Sequence, residues 1–391
     1  VFINSIIPTL NIYLTINTKL NIVPEVINHT MKLKATEVDL DENILAKDLL
    51  QVETDRLKLD KGYITESDLE LRIKGDYKNS KELVAKNLSL QAENIHNESL
   101  LGSKGRLTLK SKKLFNRENA LLFSREDSVL HGETLENHGE IYSGKNLHME
   151  YTDSIRNLTA RMEAEGDIGI KTKLFENKGN LTGDYSKKWV KGSHSSLDVQ
   201  KLPKSFLKRV DEELQEEYDG SGRRHKRWEG EKYLSRAEEG ESHYISHKSF
   251  VRAGKNLDII ADRVLNQEAD IVVNQDFHVK AKEFINTREK KEIKIRLQFA
   301  REYSYKKRLR RRHKRTHSTF RAVLPWKQDL YSDKSTRVLV GGKLSIEAKK
   351  VGNGEYTQGT ESIFKQSPSS FQIINNVQSP IFETKKTSEI T

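Results

Sequence analysis

Asparagine returns along this chain at a nearly fixed interval. Asn97, Asn116, Asn137, Asn157 and Asn177 stand 19, 21, 20 and 20 residues apart. A period of this kind constrains the fold strongly, because each copy must be one unit of a stack. Two positions before each asparagine is an apolar residue: Ile95, Leu114, Leu135, Ile155 and Phe175. Further back lies an apolar pair two residues apart: Leu88 with Leu90, Leu107 with Leu109, Leu147 with Met149, Ile168 with Ile170. Before Asn137 the pair is Ser128 with Leu130. The template returns as Leu257, Ile259, Val264 and Asn266, as Phe277, Val279, Phe284 and Asn286, and as Leu344, Ile346, Val351 and Asn353. Leu57, Leu59 and Ile64 form a degenerate copy, with Glu66 in the asparagine place.

Apolar residues two apart point to one face of a strand. About twenty residues hold two or three short strands with their turns, and no long helix besides. The spacing predicts an all-β solenoid of ~20-residue coils, apolar side chains inside, stacked at ~4.8 Å. Asparagine suits a corner, where it tolerates left-handed backbone. In register, its amides can hydrogen-bond from coil to coil. The leucine-rich repeat differs, because its leucines stand five and three places before the asparagine rather than nine, seven and two. The phrases SGKNLHM (Ser143–Met149) and AGKNLDI (Ala253–Ile259) read as one corner and strand used twice.

The composition agrees with a thin stack. Of 391 residues, 35% are hydrophobic and 32% charged, too little apolar material for a thick core. The chain has no cysteine, which excludes disulfides, thiolate zinc sites and cysteine nucleophiles. The opening VFINSIIPTLNIYLTI lacks the basic start of an export signal and is too short and polar to span a bilayer. It reads as strand, so an export signal is expected outside this sequence.

The expected organisation is degenerate coils over 1–83, regular coils over 84–183, a charged insertion over 184–249, and coils over 250–287. A basic insertion over 288–336 follows, then a final coil with a polar, partly disordered tail over 337–391. In the first insertion, PKSFLKRVDEELQEEYDG predicts a helix over 204–218. Leu207, Val210, Leu214 and Tyr218 form its apolar stripe, and Gly220 is its stop. Its expected role is to decorate or cap the solenoid, or to bind a partner. Arg223 to Trp228, RRHKRW, is also basic. The second insertion carries Lys306, Lys307, Arg308, Arg310, Arg311, Arg312, Lys314 and Arg315 in one run. Such a run suits a solvated hairpin or loop, or contact with phosphates, sulfated glycans or anionic lipid. No specific nucleic-acid recognition is expected, because no folded platform for Tyr303, Tyr305, Phe320 and Trp326 is legible.

No catalytic constellation stands out, and the expectation is a non-enzyme without cofactor or metal. His243 and His247, and His313 and His317, have a helical metal spacing but no third ligand. Asp258, Asp262, Asp270 and Asp276 read as scattered outward positions.

The phrases ENHGEIYSGKNLHMEY, LFENKGNLTG and SFVRAGKNLDIIADRVLNQEADIVVNQDFHVKAKEFIN resemble the haemagglutinin repeats of filamentous-haemagglutinin-like exoproteins. That family contains large bacterial adhesins and contact-dependent growth-inhibition effectors. The resemblance covers about 84–183 and 250–287, and in part 337–355. It implies a right-handed parallel β-helix in a secreted, cell-surface fibre associated with virulence. It implies export through an outer-membrane two-partner-secretion barrel, and a receptor or glycan on a host or neighbouring cell. No NPN-type secretion motif or VENN motif stands in the sequence, so an internal or truncated piece is expected. The expected function is a structural segment of an adhesin or growth-inhibition stalk. The alternatives are a polysaccharide-active β-helix enzyme and a basic polyanion- or glycan-binding protein.

Overall fold

The computed structural model describes residues 2–3, 11–22, 28–40, 46–195, 197–216, 227–240, 244–309, 312–331, 336–353, 373–375 and 381–382. Two long sheets, of 17 and 11 strands, carry most of them. In-register parallel pairs connect each coil to the next, which makes the molecule a β-solenoid. Leu33, Val52, Leu71, Leu90, Leu109, Leu130, Met149, Ile170, Ile259, Val279 and Ile346 stand in one register column. Leu14 pairs ahead of Leu33, which brings the column to twelve positions. Alternation explains the core: along Leu88–Gln91 the burial pattern is inside, outside, inside, outside. The strand at 11–22 agrees with the reading of the first apolar segment.

Most coils supply one long strand or two short ones to the first sheet and one short strand to the second. In the second sheet, Leu101, Leu122, Ile141, Met162, Val251, Ile271 and Val338 form an apolar column. Two places on, a small-residue column holds Ala85, Ser103, Ser124, Ser143, Ala164 and Ala253, all buried. The column continues into the buried Val273 and Val340.

The asparagines form one continuous ladder. Nδ2 of Asn97 donates to Oδ1 of Asn116 at 2.8 Å, Asn116 to Asn137 at 2.7 Å, Asn137 to Asn157 at 2.8 Å, and Asn157 to Asn177 at 2.9 Å. Asn177 donates to Asn266 at 2.8 Å, although 89 residues separate them, and Asn266 to Asn286 at 2.8 Å. Asn353 pairs in register with Asn286, and its side chain lies outside the described residues. A second donation from each amide goes to a backbone carbonyl, as from Asn157 to Phe250 at 3.1 Å. Buried amides must be satisfied in this way, since an orphaned one costs ~1–3 kcal/mol. None of the ladder asparagines has positive φ. Among the described residues, the non-glycine residues with positive φ are Asn119, Thr159 and Glu268, at the turns that follow. The ladder, and not left-handed tolerance, accounts for the repeated asparagine.

The degenerate copy is corrected. Ile64 is 58% exposed and the Glu66 side chain 80% exposed, so neither belongs to the interior columns. The ladder position is Asn79, which donates to Asn97 at 2.7 Å and accepts from the Tyr77 hydroxyl at 3.1 Å. Tyr77 fills the template's apolar place in this coil, two residues before Asn79.

The repeated phrases mark a tight corner. A Cβ on Gly144 would lie 2.2 Å from the Arg125 carbonyl oxygen, and one on Gly254 2.2 Å from that of Glu165. Glycine is needed because the coils approach so closely there. The asparagine two places later joins a second ladder on the rim, in which Asp and Asn alternate. Asp127 Oδ1 accepts from Asn146 N at 3.2 Å and Nδ2 at 3.1 Å. Asn146 Oδ1 accepts from Asp167 N at 2.9 Å. Asp167 Oδ1 accepts from both Asn256 nitrogens at 3.0 Å, and Asn256 Oδ1 from Asp276 N at 3.1 Å. Alternation keeps carboxylates from stacking at one coil spacing, where their like charges would repel.

The two insertions fold together. We label four strands of a separate antiparallel sheet β1 (Lys188–Lys191), β2 (Arg227–Glu239), β3 (Lys290–Leu309) and β4 (Arg312–Tyr331). Their order is β1-β2-β3-β4, so strands from both interruptions lie side by side. Helix α1 (Lys204–Glu216) covers one face. Phe206, Val210 and Leu214 bury against Leu234, Ile295, Leu297, Phe299 and Leu324, a core separate from that of the solenoid. The predicted helix is therefore present over Lys204–Glu216, the described part of 204–218, and it packs on this sheet instead of decorating the solenoid. Leu207 is only partly buried, Phe206 replaces it in the stripe, and Tyr218 lies outside the described residues.

An ion pair between a buried carboxylate and an exposed guanidinium joins two strands of this accessory sheet. Glu238, 6% exposed, accepts from the Arg296 backbone N–H at 2.8 Å and from Arg296 Nε at 2.7 Å. Burial alone would push the Glu238 carboxyl up, but the Arg296 hydrogen bonds and charge outweigh it and hold it below its usual 4.5. A depressed folded pKa gives stability that is present above the unfolded pKa and lost as pH falls through the folded one. The module is therefore expected to loosen below about pH 4.5. The Arg296 guanidinium lies 5.3 Å from the centre of the Trp189 ring, so tryptophan emission against pH checks this. Glu238→Gln should remove the acid transition; an unchanged transition would assign it elsewhere.

Candidate functional site

The first sheet bends two places after the column that contains Leu90 and Leu109. The inward positions at this bend are mostly small: Ala92, Ser111, Gly132, Thr172, Ala261 and Ala281. Tyr151 is the exception, and its ring lies against Gly132, where a Cβ would meet Tyr151 Cε1 at 2.9 Å. A surface groove follows the bend parallel to the stack. It comprises two cavities of ≈ 880 Å³ and ≈ 580 Å³, which share Glu150 and Thr152 on their walls. Between Lys74 and Lys282 it crosses eight coils, a run of about 30–35 Å at ~4.8 Å per coil.

Charges of both signs line it, paired between neighbouring coils. Lys112 meets Glu93 at 2.9 Å, Lys171 meets Glu150 at 2.6 Å, and Lys282 meets Asp262 at 2.9 Å. These pairs are exposed, so solvent screens them and they add little to stability. The Lys171 hydrogen bond holds the Glu150 carboxyl below its usual value, and the Lys34 hydrogen bond does the same for Glu53. A general acid needs the opposite shift. These two carboxylates stay ionised at neutral pH and can accept hydrogen bonds from a ligand.

Three buried hydroxyls along the same bend have no hydrogen-bond partner among the described residues: Ser111 Oγ, Tyr151 OH and Thr172 Oγ1. Tyr151 is 1% exposed, and burial pushes its phenol well up. Because this hydroxyl has no partner among the described residues, Tyr151→Phe should leave stability unchanged or raise it by up to ~1 kcal/mol. Thermal unfolding checks this, and a loss of stability would reveal a partner such as a buried water.

The other sequence-predicted positions fall elsewhere. Seven of the eight predicted asparagines are buried in the ladder and serve stacking, and the side chain of the eighth, Asn353, lies outside the described residues. The basic run occupies the end of the β3–β4 hairpin, with Lys306 opposite Arg315, Lys307 opposite Lys314 and Arg308 opposite His313. Arg310 and Arg311 lie outside the described residues, as do the side chains of the rest of the run. His313 and His317 stand in a strand, where four residues span ~13 Å instead of one helical turn. His243 lies outside the described residues, and His247 Nε2 is 2.9 Å from Thr182 Oγ1. Asp270 is not outward: it is 4% exposed, 2.8 Å from Lys248 and 2.6 Å from Arg337. Asp276 belongs to the rim ladder.

The groove was missed because it belongs to a bend, which one strand's alternation does not encode. The rim ladder had a signal: Asp68, Asn87, Asp127, Asn146, Asp167, Asn256 and Asp276 each immediately precede the first inward residue of a coil.

Together these features define a parallel β-solenoid with an axial groove and a basic accessory sheet. Comparison with protein-family models, curated proteins and solved structures gives no match.

Proposed function

We propose that this chain is a structural segment of a secreted bacterial surface adhesin or contact-dependent-inhibition stalk, which holds binding surfaces away from a cell. The observation that supports this most is the continuity of the asparagine ladder from Asn79 to Asn286, across an 89-residue gap in sequence. Twelve coils at ~4.8 Å give a rod on the order of 50 Å long. A rod whose buried amides and rim groups are paired along its length suits display. The export route in this reading is an outer-membrane two-partner-secretion barrel, and the partner is a receptor or glycan on the opposing cell. Antibody labelling of intact bacteria that express the native protein tests the location. Loss of cell–cell or cell–host attachment on deleting the coils tests the role. Labelling only after lysis would refute the reading.

The axial groove supports a second reading, in which the solenoid holds a linear polysaccharide. Its length spans several sugar units, and its ionised carboxylates and paired lysines offer hydrogen bonds along it. Titration with a panel of neutral and acidic oligosaccharides tests this, with Glu150→Gln and Lys171→Met expected to weaken any binding. Turnover of a bound oligosaccharide would favour the enzyme alternative.

A further inference from the structure

The accessory hairpin holds the whole charge excess of the chain. Between Lys290 and Tyr331 stand 15 Lys and Arg against three Asp and Glu. The chain has 68 against 57, so the remaining 349 residues carry 53 against 54 and are close to neutral. Charge this localised is the footprint of a polyanionic partner.

The sheet beneath it has an open face. Helix α1 covers the side that carries Leu297 and Phe299. On the other side, cross-strand register brings together Trp189, Tyr233, Arg236, Lys294, Arg321 and Val323. Trp189 is 39%, Tyr233 45% and Val323 49% exposed, half of the large exposed hydrophobics among the described residues. Arg236, Lys294 and Arg321 have no ion-pair partner among the described residues. An exposed apolar cluster rimmed by unpaired cations marks an interaction surface.

Shape selects the occupant. A polymer chain wants a groove, and a nucleic acid wants aromatic rings with free faces. Here the Trp189 ring already has Arg296 at 5.3 Å, and the Tyr233 hydroxyl donates to Glu302 at 3.3 Å. An open antiparallel sheet face is broad and shallow. Tryptophan and tyrosine with a basic surround are the residues that settle at a membrane–water interface. A run of eight basic residues within ten at the hairpin end adds the long-range attraction. We propose that the open face of the accessory sheet, with its basic hairpin, docks on the anionic lipid headgroups of a membrane surface. This inference is independent of the stalk reading.

Vesicle sedimentation tests it with the full chain. Phosphatidylcholine vesicles that contain phosphatidylglycerol should bind, pure phosphatidylcholine vesicles should not, and binding should weaken as salt rises. The triple variant Arg236→Glu, Lys294→Glu, Arg321→Glu should lose at least about ten-fold in partition. Lys113→Glu, on the solenoid, should change it less than about two-fold. Brominated lipid should quench tryptophan emission, and Trp189→Phe should remove most of that quenching. Circular dichroism confirms that each variant is folded. Equal binding to both vesicle types, or a folded triple variant that still binds, overturns the proposal. So does retention on heparin or DNA, abolished in the triple variant, without vesicle binding.

Discussion

Asn157→Asp should be the most damaging single substitution in the solenoid. The asparagine amide accepts from Asn137 at 2.8 Å and donates to Asn177 at 2.9 Å, to the Ala160 carbonyl at 3.1 Å and to the Phe250 carbonyl at 3.1 Å. A carboxylate keeps the acceptance and loses every donation. It also faces three oxygens that then have one donor fewer. Asn157 is 0% exposed, so water cannot substitute. The expected loss is ~3–5 kcal/mol for Asp, and ~2–4 kcal/mol for Asn157→Ala, which introduces no charge. A protonated Asp regains one donor, so the Asp variant should recover part of its stability in acid. In a stack the damage should stay near the altered coil. Hydrogen exchange should show amides around Asn137, Asn157 and Asn177 opening first. Uniform loosening would show that the stack unfolds as one unit.

Gly254→Ala should come close behind, for a reason unrelated to hydrogen bonds. The added Cβ would lie 2.2 Å from the carbonyl oxygen and 2.6 Å from the carbonyl carbon of Glu165. Both are backbone atoms, so no rotamer change relieves the overlap. The two coils must separate locally, which weakens the pairing of Ala164 with Ala253. The expected loss is about 2–3 kcal/mol. Gly352→Ala is the control: this glycine is also buried, but the nearest atom to its added Cβ is 3.7 Å away, an ordinary contact, so stability should change by less than about 1 kcal/mol. Urea unfolding of the two variants compares them. Equal stabilities would mean that the corner relaxes without cost.

The basic hairpin shows where reading a strand at a time stops. The run Lys306–Arg315 admitted a loop or a hairpin, and the structure pairs β3 with β4 without a break from Lys290↔Tyr331 to Leu309↔Arg312. The inward alternation Ile293, Ile295, Leu297, Phe299 was present in the sequence. It lacks the period that identified the coils, and its partner strand β2 lies over fifty residues earlier. Glu66 is not a ladder place, because Leu57 and Leu59 do not anchor the coil before Asn97. The coil that precedes Asn97 is instead anchored on Leu69 and Leu71, with Tyr77 and Asn79 following.

The sequence by itself determined the solenoid. Strand alternation and a recurrent asparagine are local rules repeated at a fixed period, and a stack needs only neighbours that obey the same rule. Tertiary structure decided what repetition does not encode. It closed the ladder from Asn177 to Asn266 across the first insertion and joined two separate interruptions into one sheet under α1. It also opened a groove along the bend and left Trp189, Tyr233 and Val323 uncovered beside unpaired cations. Each of these depends on contacts between residues far apart in the chain, whose pairing is fixed only once the coils have stacked.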